Sequence, residues 1–150
     1  MLVVIAIISI LAVFLFVSFT QVQKSSRDAQ RKSDLQTVAG ALQRFYSDNS
    51  HYPSDLSGEI AYESDCSSGT TVSPAWGTSG ITCGSKNYIK QLPTDPIGTR
   101  EYCYVAVDVD PTAAGINIQN YNLYARLEGT TGTLSCGVES DYNYQVTAQD

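Results

Sequence analysis

The sequence is poor in the residues that carry most enzyme chemistry. It contains one histidine, one methionine and one tryptophan. It has no nucleophile elbow, no phosphate-binding glycine loop and no paired metal-ligand motif. The histidine, His51, follows a predicted helix end, where a packing or hydrogen-bonding role is far more common than catalysis. We therefore expect a protein that is not an enzyme and that needs no cofactor, apart from the calcium ion considered below.

Basic side chains are scarce in most of the chain. Residues 49–150 contain four basic and twelve acidic side chains, a net charge of −8, whereas residues 1–48 carry a net charge of +2. The acidic part would repel the phosphate backbone of nucleic acid. Nonspecific nucleic-acid binding by this part is therefore disfavoured.

The four cysteines lack the Cys-x2-Cys pairs that most structural zinc sites use. Cys66, Cys83, Cys103 and Cys136 are therefore expected to form two disulfides in an oxidising compartment. Four cysteines allow three pairings. We favour Cys66 with Cys83 and Cys103 with Cys136, because each pair closes a moderate loop, and the other two pairings stay open on sequence grounds.

The first nineteen residues contain no charged residue, no glycine and no proline, and fourteen of them are Leu, Ile, Val or Phe. Such a run is just long enough to span a membrane. A cleaved signal peptide is disfavoured, because no basic residue precedes the run. A plain anchor with basic residues after it, as between Lys24 and Lys32, would place the rest of the chain inside the cell, against the predicted disulfides. A basic leader ahead of Met1, removed during maturation, resolves that conflict.

The helical pattern continues beyond the apolar run. Apolar residues recur at three- and four-residue steps from Val22 to Tyr46, and Asp48, Asn49 and Pro53 indicate the end of the helix. A helix of about fifty residues would be roughly 70 Å long, more than a small domain can cover. Its first part must therefore be buried by lipid or by identical helices of other subunits.

The remaining sequence predicts a small β domain. Its Ser/Thr/Gly-rich part indicates a loop excursion between Ser50 and Lys86, followed by a short turn or helix at Lys86–Gln91. Tyrosine- and valine-rich alternation predicts three strands, at Glu101–Val107, Asn120–Leu127 and Asp141–Thr147. The expected fold is α+β, with the helix segment Leu35–Tyr46 packed on a sheet of three to four antiparallel strands.

We divide the chain accordingly into four segments. Residues 1–23 are a protruding hydrophobic helix, and residues 24–49 are its amphipathic continuation. Residues 50–92 are a disulfide-containing loop region, and residues 93–150 are an antiparallel sheet region. The outline is that of a lollipop, in which the helix is the stick.

The string LVVIAIISILA, followed by SRDAQRKSDLQTVAGALQRFYSDNSHYP, resembles the N-terminal region of type IV pilins and pseudopilins. The segment YIKQLPTDPIGTREYCYVAV is similar to the entry into the sheet of pseudopilins and minor pilins. The family's Phe-Thr-Leu-Ile-Glu start is not among residues 1–150. Ser9 and Val17 occupy the positions where many bacterial pilins have a helix-breaking Gly and Pro, so we expect little or no unwinding within residues 8–18.

The resemblance implies a subunit that a prepilin peptidase cleaves and methylates, that resides in the inner membrane and that assembly machinery adds to an extracellular helical filament. Identical subunits would then be its main partners. The assembly helix would use these apolar residues: Leu2, Val3, Val4, Ile5, Ile7, Ile8, Ile10, Leu11, Val13, Phe14, Leu15 and Phe16.

A calcium site is the one metal site that the resemblance suggests, because pseudopilins often hold calcium in a loop between strands. Asp108, Asp110, Asn117 and Asn120 could supply oxygen ligands, although their spacing fits no EF-hand. Solvated turn residues are the ordinary interpretation of the same four positions.

Three functions remain open from the sequence. The first is a type IV pilus subunit that serves adhesion, twitching motility or DNA uptake, with a surface or DNA ligand unassigned. The second is a pseudopilin of a type II secretion system. The third is an extracellular binding domain tethered to the membrane without polymerising.

Overall fold

The computed structural model describes residues 2–64, 66, 71–98, 100–108, 118–137 and 139–148. These residues form an α+β structure with one long N-terminal helix and several small antiparallel sheets. Helix α1 spans Leu2–Asn49 and is continuous through residues 8–18, as predicted from the lack of proline. The chain leaves the helix at Ser50, which has a left-handed φ of 63° and donates its N–H to the carbonyl of Tyr46 at 2.7 Å.

Ten short strands follow the helix among the described residues. They are β1 (Ser54–Leu56), β2 (Glu59–Glu63), β3 (Thr71–Val72), β4 (Ile81–Cys83), β5 (Lys86–Ile89), β6 (Cys103–Asp108), β7 (Ile118–Ala125), β8 (Leu134–Cys136), β9 (Glu139–Tyr142) and β10 (Tyr144–Thr147). All their pairings are antiparallel. The strands form two three-stranded sheets, in the orders β1-β2-β3 and β10-β7-β6, and two hairpins, β4-β5 and β8-β9.

The sheet β10-β7-β6 corresponds to the three strands predicted from tyrosine and valine alternation. The predicted strand Asp141–Thr147 is divided, however, because β9 ends at Tyr142 and β10 begins at Tyr144. Between them, the side chain of Asn143 accepts from the N–H of Leu127 at 2.6 Å and donates to its carbonyl at 3.0 Å. The amide side chain thus takes the place of a backbone hydrogen bond between strands. The chain changes its pairing partner here, because β9 pairs with β8 whereas β10 pairs with β7.

Two predictions for the middle of the chain were wrong. The segment between Ser50 and Lys86 is not a loop excursion, because it contains β1 to β4, and Lys86–Ile89 is strand β5 instead of a turn or helix. The single sheet of three to four strands is correspondingly replaced by four smaller ones. These strands are only two to five residues long and pair with their neighbours in sequence, so each is too short for its composition to reveal it.

The core lies between the second part of α1 and the strands. A stripe of helix side chains at three- and four-residue steps is completely buried: Leu35, Val38, Leu42 and Phe45. This part of α1 contacts β5, β7 and β10. The predicted packing of segment Leu35–Tyr46 against strands is therefore confirmed.

The β1-β2 hairpin packs closely against β6. Its two-residue turn has φ values of 54° at Ser57 and 90° at Gly58, which suit the right-handed twist of a hairpin. The carbonyl of Gly58 accepts the N–H of Tyr104 at 2.8 Å. A Cβ atom at position 58 would lie 2.6 Å from the Sγ atom of Cys103, so only glycine fits this approach.

Candidate assembly surface

The first part of α1 exposes apolar side chains on all its sides. Eight of them are more than half exposed: Val3, Val4, Ile5, Ile7, Ile8, Ile10, Phe19 and Val22. The hydroxyl of Ser9 donates to the carbonyl of Ile5 at 2.8 Å, so its donor is satisfied within the helix. Burial of this surface would gain hydrophobic free energy, about 1 kcal/mol for each half-exposed aliphatic side chain. The Ser9 hydroxyl would keep its hydrogen bond to Ile5 on burial.

The residues predicted to form the assembly helix all lie in α1. Six of them have exposed side chains in the structure, namely Val3, Val4, Ile5, Ile7, Ile8 and Ile10. For the other six, only the helical backbone is described: Leu2, Leu11, Val13, Phe14, Leu15 and Phe16. A search of the described residues finds no helix whose length and hydropathy would suffice for a membrane crossing.

Helix α1 passes from its exposed part to the part covered by the domain at Arg31. This residue is completely buried although it is charged. Its guanidinium forms two hydrogen bonds with Asp95, from Nε at 2.6 Å and from Nη2 at 2.9 Å. Its Nη1 donates to Asp28 at 2.7 Å and to Glu128 at 3.2 Å. Removing one partner from a buried ion pair typically costs about 3 to 5 kcal/mol, so this cluster fixes the point where α1 emerges from the domain.

Arg27, one turn before Arg31, extends this cluster toward the exposed part of the helix. Its Nε and Nη2 donate to the two carboxylate oxygens of Glu128, at 2.5 and 2.7 Å. The hydrogen bond from Arg27 is the main cause that lowers the pKa of Glu128 to about 2. The hydrogen bonds with Asp95 likewise raise the pKa of Arg31 further above its usual value. We call Arg27, Asp28, Arg31, Asp95 and Glu128 the helix clasp.

Two further polar contacts hold the covered part of α1. Burial raises the pKa of Asp34, although the hydroxyl of Tyr102 donates to its Oδ2 at 2.7 Å. Near the C-terminal end, the Nζ of Lys86 lies 3.0 Å from Oδ2 of Asp48, and this hydrogen bond lowers the pKa of Asp48. The covered part of the helix is thus attached to the domain at both of its ends.

The helix clasp was not predicted from the sequence, although a signal was present. Arg31 stands four residues before Leu35 and therefore continues the stripe of buried apolar side chains. A charged residue on such a stripe requires buried partners. The pattern could not tell which carboxylates these are, because Asp95 and Glu128 are separated from Arg31 by 64 and 97 positions.

The favoured disulfide pairing is confirmed. Cys66 is bonded to Cys83, at a sequence separation of 17, and Cys103 to Cys136, at a sequence separation of 33. The second bond links β6 to the end of β8. The chain therefore has no free cysteine.

The calcium candidates are largely beyond what the structure describes. Asp110 and Asn117 lie outside the described residues, and only the backbone of Asp108 is described. Asn120 is in β7, opposite Val107 of β6. Within the described part of the chain, no group of three or more His, Cys, Asp or Glu residues is placed to hold a metal ion.

Comparisons of the chain with protein-family models, with curated proteins and with solved structures find no match.

Proposed function

We propose that this protein is the structural subunit of a type IV pilus, which polymerises through the exposed apolar part of α1. The observation that supports this most is the division of one continuous helix into two parts. Beyond Arg31 its apolar stripe is covered by its own domain, whereas Val3 and Ile5 are 72% and 61% exposed. Identical helices from other subunits can cover such a surface with matching apolar side chains, as in a helical bundle.

The contacts between the domain and α1 also support this proposal. The helix clasp joins α1 to the segments around Asp95 and Glu128, so the emerging helix has a fixed base. Its disulfides suit the extracellular surface of a filament, because such bonds persist in oxidising compartments. Residence in the inner membrane before assembly, processing by a prepilin peptidase and a pilin-like fold belong to the same proposal. Adhesion, twitching motility and DNA uptake are all functions that such a filament could serve.

A charge placed on the exposed apolar surface tests the proposal. Ile8→Asp introduces an ionised side chain at a position that is 60% exposed in the single subunit and buried in the proposed filament. At the centre of an apolar environment, aspartate costs about 2.5 to 3.5 kcal/mol. We expect the variant to form no filaments, either in the electron microscope or in a sedimented pellet. Its domain should keep the thermal stability of the unmodified chain.

Gln30→Glu is the matched control, because Gln30 is an exposed residue on the polar part of the same helix. It should leave the filaments intact. Filaments that form equally well with Ile8→Asp would contradict assembly through this surface. Abundant surface fibres composed mainly of this chain would also distinguish a pilus from the short, scarce fibre of a secretion pseudopilin.

A further inference from the structure

A groove of about 480 Å³ lies between α1 and β10, the strand at one edge of its sheet. Its lining residues come from both elements and are all uncharged: Gln36, Ala39, Gly40 and Gln43 of α1, and Tyr144, Gln145 and Val146 of β10. Residues 49–150 carry a net charge of −8. The groove is therefore a neutral recess on an acidic domain.

Gly40 is the single glycine of α1, and it lines this groove. Its φ is not in the left-handed region, and a Cβ atom at this position would meet no atom within 4 Å. Glycine in a helix interior lowers the stability of the helix relative to alanine. The described part of the chain thus gives no steric reason for a glycine here. Such a glycine indicates that another molecule approaches the helix closely.

The residues around Gly40 form an open rim and an apolar floor. Gln36 and Gln43 lie about one turn before and one turn after it, and both are exposed. Ala39 and Val146 are 8% and 7% exposed, so they close the bottom of the groove. Because the two glutamine side chains are long and flexible, their amides can stay in water when the space above Gly40 is filled.

The charges near the groove favour an uncharged occupant. Lys32 and Arg44 lie beside the groove without lining it. The Nζ of Lys32 is 5.3 Å from the ring centroid of Tyr144, and the Nε of Arg44 donates to the carbonyl of Gly40 at 3.2 Å. A second acidic domain would bring like charges together. Residues 1–19 of another copy contain no charged residue, so they meet no such repulsion.

The length of α1 permits this contact between copies. The groove lies at the level of residues 36–43, and the uncharged part of the helix described in the structure covers residues 2–19. At 1.5 Å per residue, a parallel copy displaced along the helix axis by about 25 to 60 Å places one beside the other. Packed helices approach to about 8 to 10 Å, and small side chains at the contact allow the shorter distance.

We propose that this groove receives the apolar part of α1 from a second copy of the chain, with Gly40 at the point of closest approach. The inference rests on the proposed filament. It adds a specific surface that covers the apolar helix, namely the covered half of a neighbouring α1 together with the edge strand β10.

Gly40→Leu places a side chain in the groove. Leucine favours the helix more than glycine does, and its Cβ meets no atom within 4 Å, so the melting temperature of subunits in maltoside detergent should rise by a few degrees. The yield of sedimented filaments should fall about tenfold, because the groove is already filled. Gln30→Leu is the matched control, because it adds the same side chain at an exposed position of α1 outside the groove. It should leave the yield unchanged.

The variants separate this inference from the filament proposal. Full yield with Gly40→Leu, together with loss of filaments in Ile8→Asp, would refute the groove contact and leave the filament proposal in place. Full yield with both variants would overturn the two together.

A photocrosslink identifies the occupant of the groove directly. Benzoylphenylalanine replaces the exposed Gln43, and filaments are assembled from this variant with an excess of unmodified chain. After irradiation and digestion with trypsin, we expect crosslinks to the peptide that ends at Lys24, because no lysine or arginine precedes Lys24 in the apolar part. Crosslinks only to peptides of residues 49–150 of a second copy, or no crosslink between copies, would overturn the proposal.

Discussion

At the scale of single residues, the structure depends on a buried arginine that the apolar pattern of α1 does not explain. Arg31 occupies a position of the core stripe, yet its guanidinium donates to the carboxylates of Asp28, Asp95 and Glu128. A buried charge of this kind is tolerated only with partners, and loss of one partner typically costs about 3 to 5 kcal/mol. We infer that the helix clasp sets the direction in which the exposed part of α1 leaves the domain.

The helix clasp makes stability depend on pH through Glu128. Its pKa is lowered from 4.5 to about 2 in the folded protein, so its contribution is complete above pH 4.5 and is lost as pH falls toward 2. Replacing it by Glu128→Gln should lower the melting temperature at pH 7 by a few degrees, and this difference should disappear as pH approaches 2. Thermal unfolding followed by circular dichroism between pH 7 and 2 measures the difference.

Asp34 acts in the opposite sense, because burial raises its pKa and folding therefore favours its protonated form. The comparison of Glu128→Gln with the unmodified chain cancels this contribution, which both proteins share. Glu63→Gln serves as the control for a lost carboxylate outside the helix clasp, and it should preserve the pH profile. A difference between Glu128→Gln and the unmodified chain that stays constant down to pH 2 would contradict the role given to Glu128.

At the scale of elements, the sequence predicts the helix and those strands whose residue pattern extends over many positions. The helix was predictable because its apolar positions recur over many turns, up to Asn49. The strands of sheet β10-β7-β6 were predictable because they lie in segments rich in tyrosine and valine that are bounded by turn-forming residues. Strands β1 to β5 were not, since each presents only two to five residues, too few to show a repeated pattern.

The β1-β2 hairpin allows a test of how closely the elements pack. Gly58→Ala would combine a left-handed backbone with a Cβ atom 2.6 Å from the disulfide sulfur of Cys103. Gly84 has a left-handed φ of 57° in the β4-β5 turn, and a Cβ atom there would meet no atom within 4 Å. We expect Gly84→Ala to reduce the free energy of unfolding by about 1 kcal/mol. Gly58→Ala should cost about 2 kcal/mol more, because the crosslinked sulfur cannot move aside.

Urea denaturation of the two glycine variants, each with its disulfides intact, gives the comparison directly. Both substitutions place alanine at a positive φ, 90° at position 58 and 57° at position 84, so their difference reports the contact with Cys103 together with the larger backbone strain at position 58. Equal losses of stability in the two variants would show that the hairpin can move away from β6 at little cost.

At the scale of the whole molecule, charge and hydrophobicity are separated along one axis. The apolar surface lies on the first part of α1, whereas residues 49–150 carry a net charge of −8. A filament built on the apolar helices would place these acidic domains outside, where like charge opposes lateral aggregation. Composition alone predicted this separation, but not the helix clasp, because its residues come from three separate segments of the chain.

The most direct test of the central claim is a helical reconstruction of the filaments by electron microscopy at side-chain resolution. The account predicts a continuous α1 in every subunit, with Val3, Ile5 and Ile7 packed against the helices of neighbouring copies and the disulfide-bonded domains on the outside. A filament whose subunits touch only through their domains, with these three side chains left facing water, would contradict it.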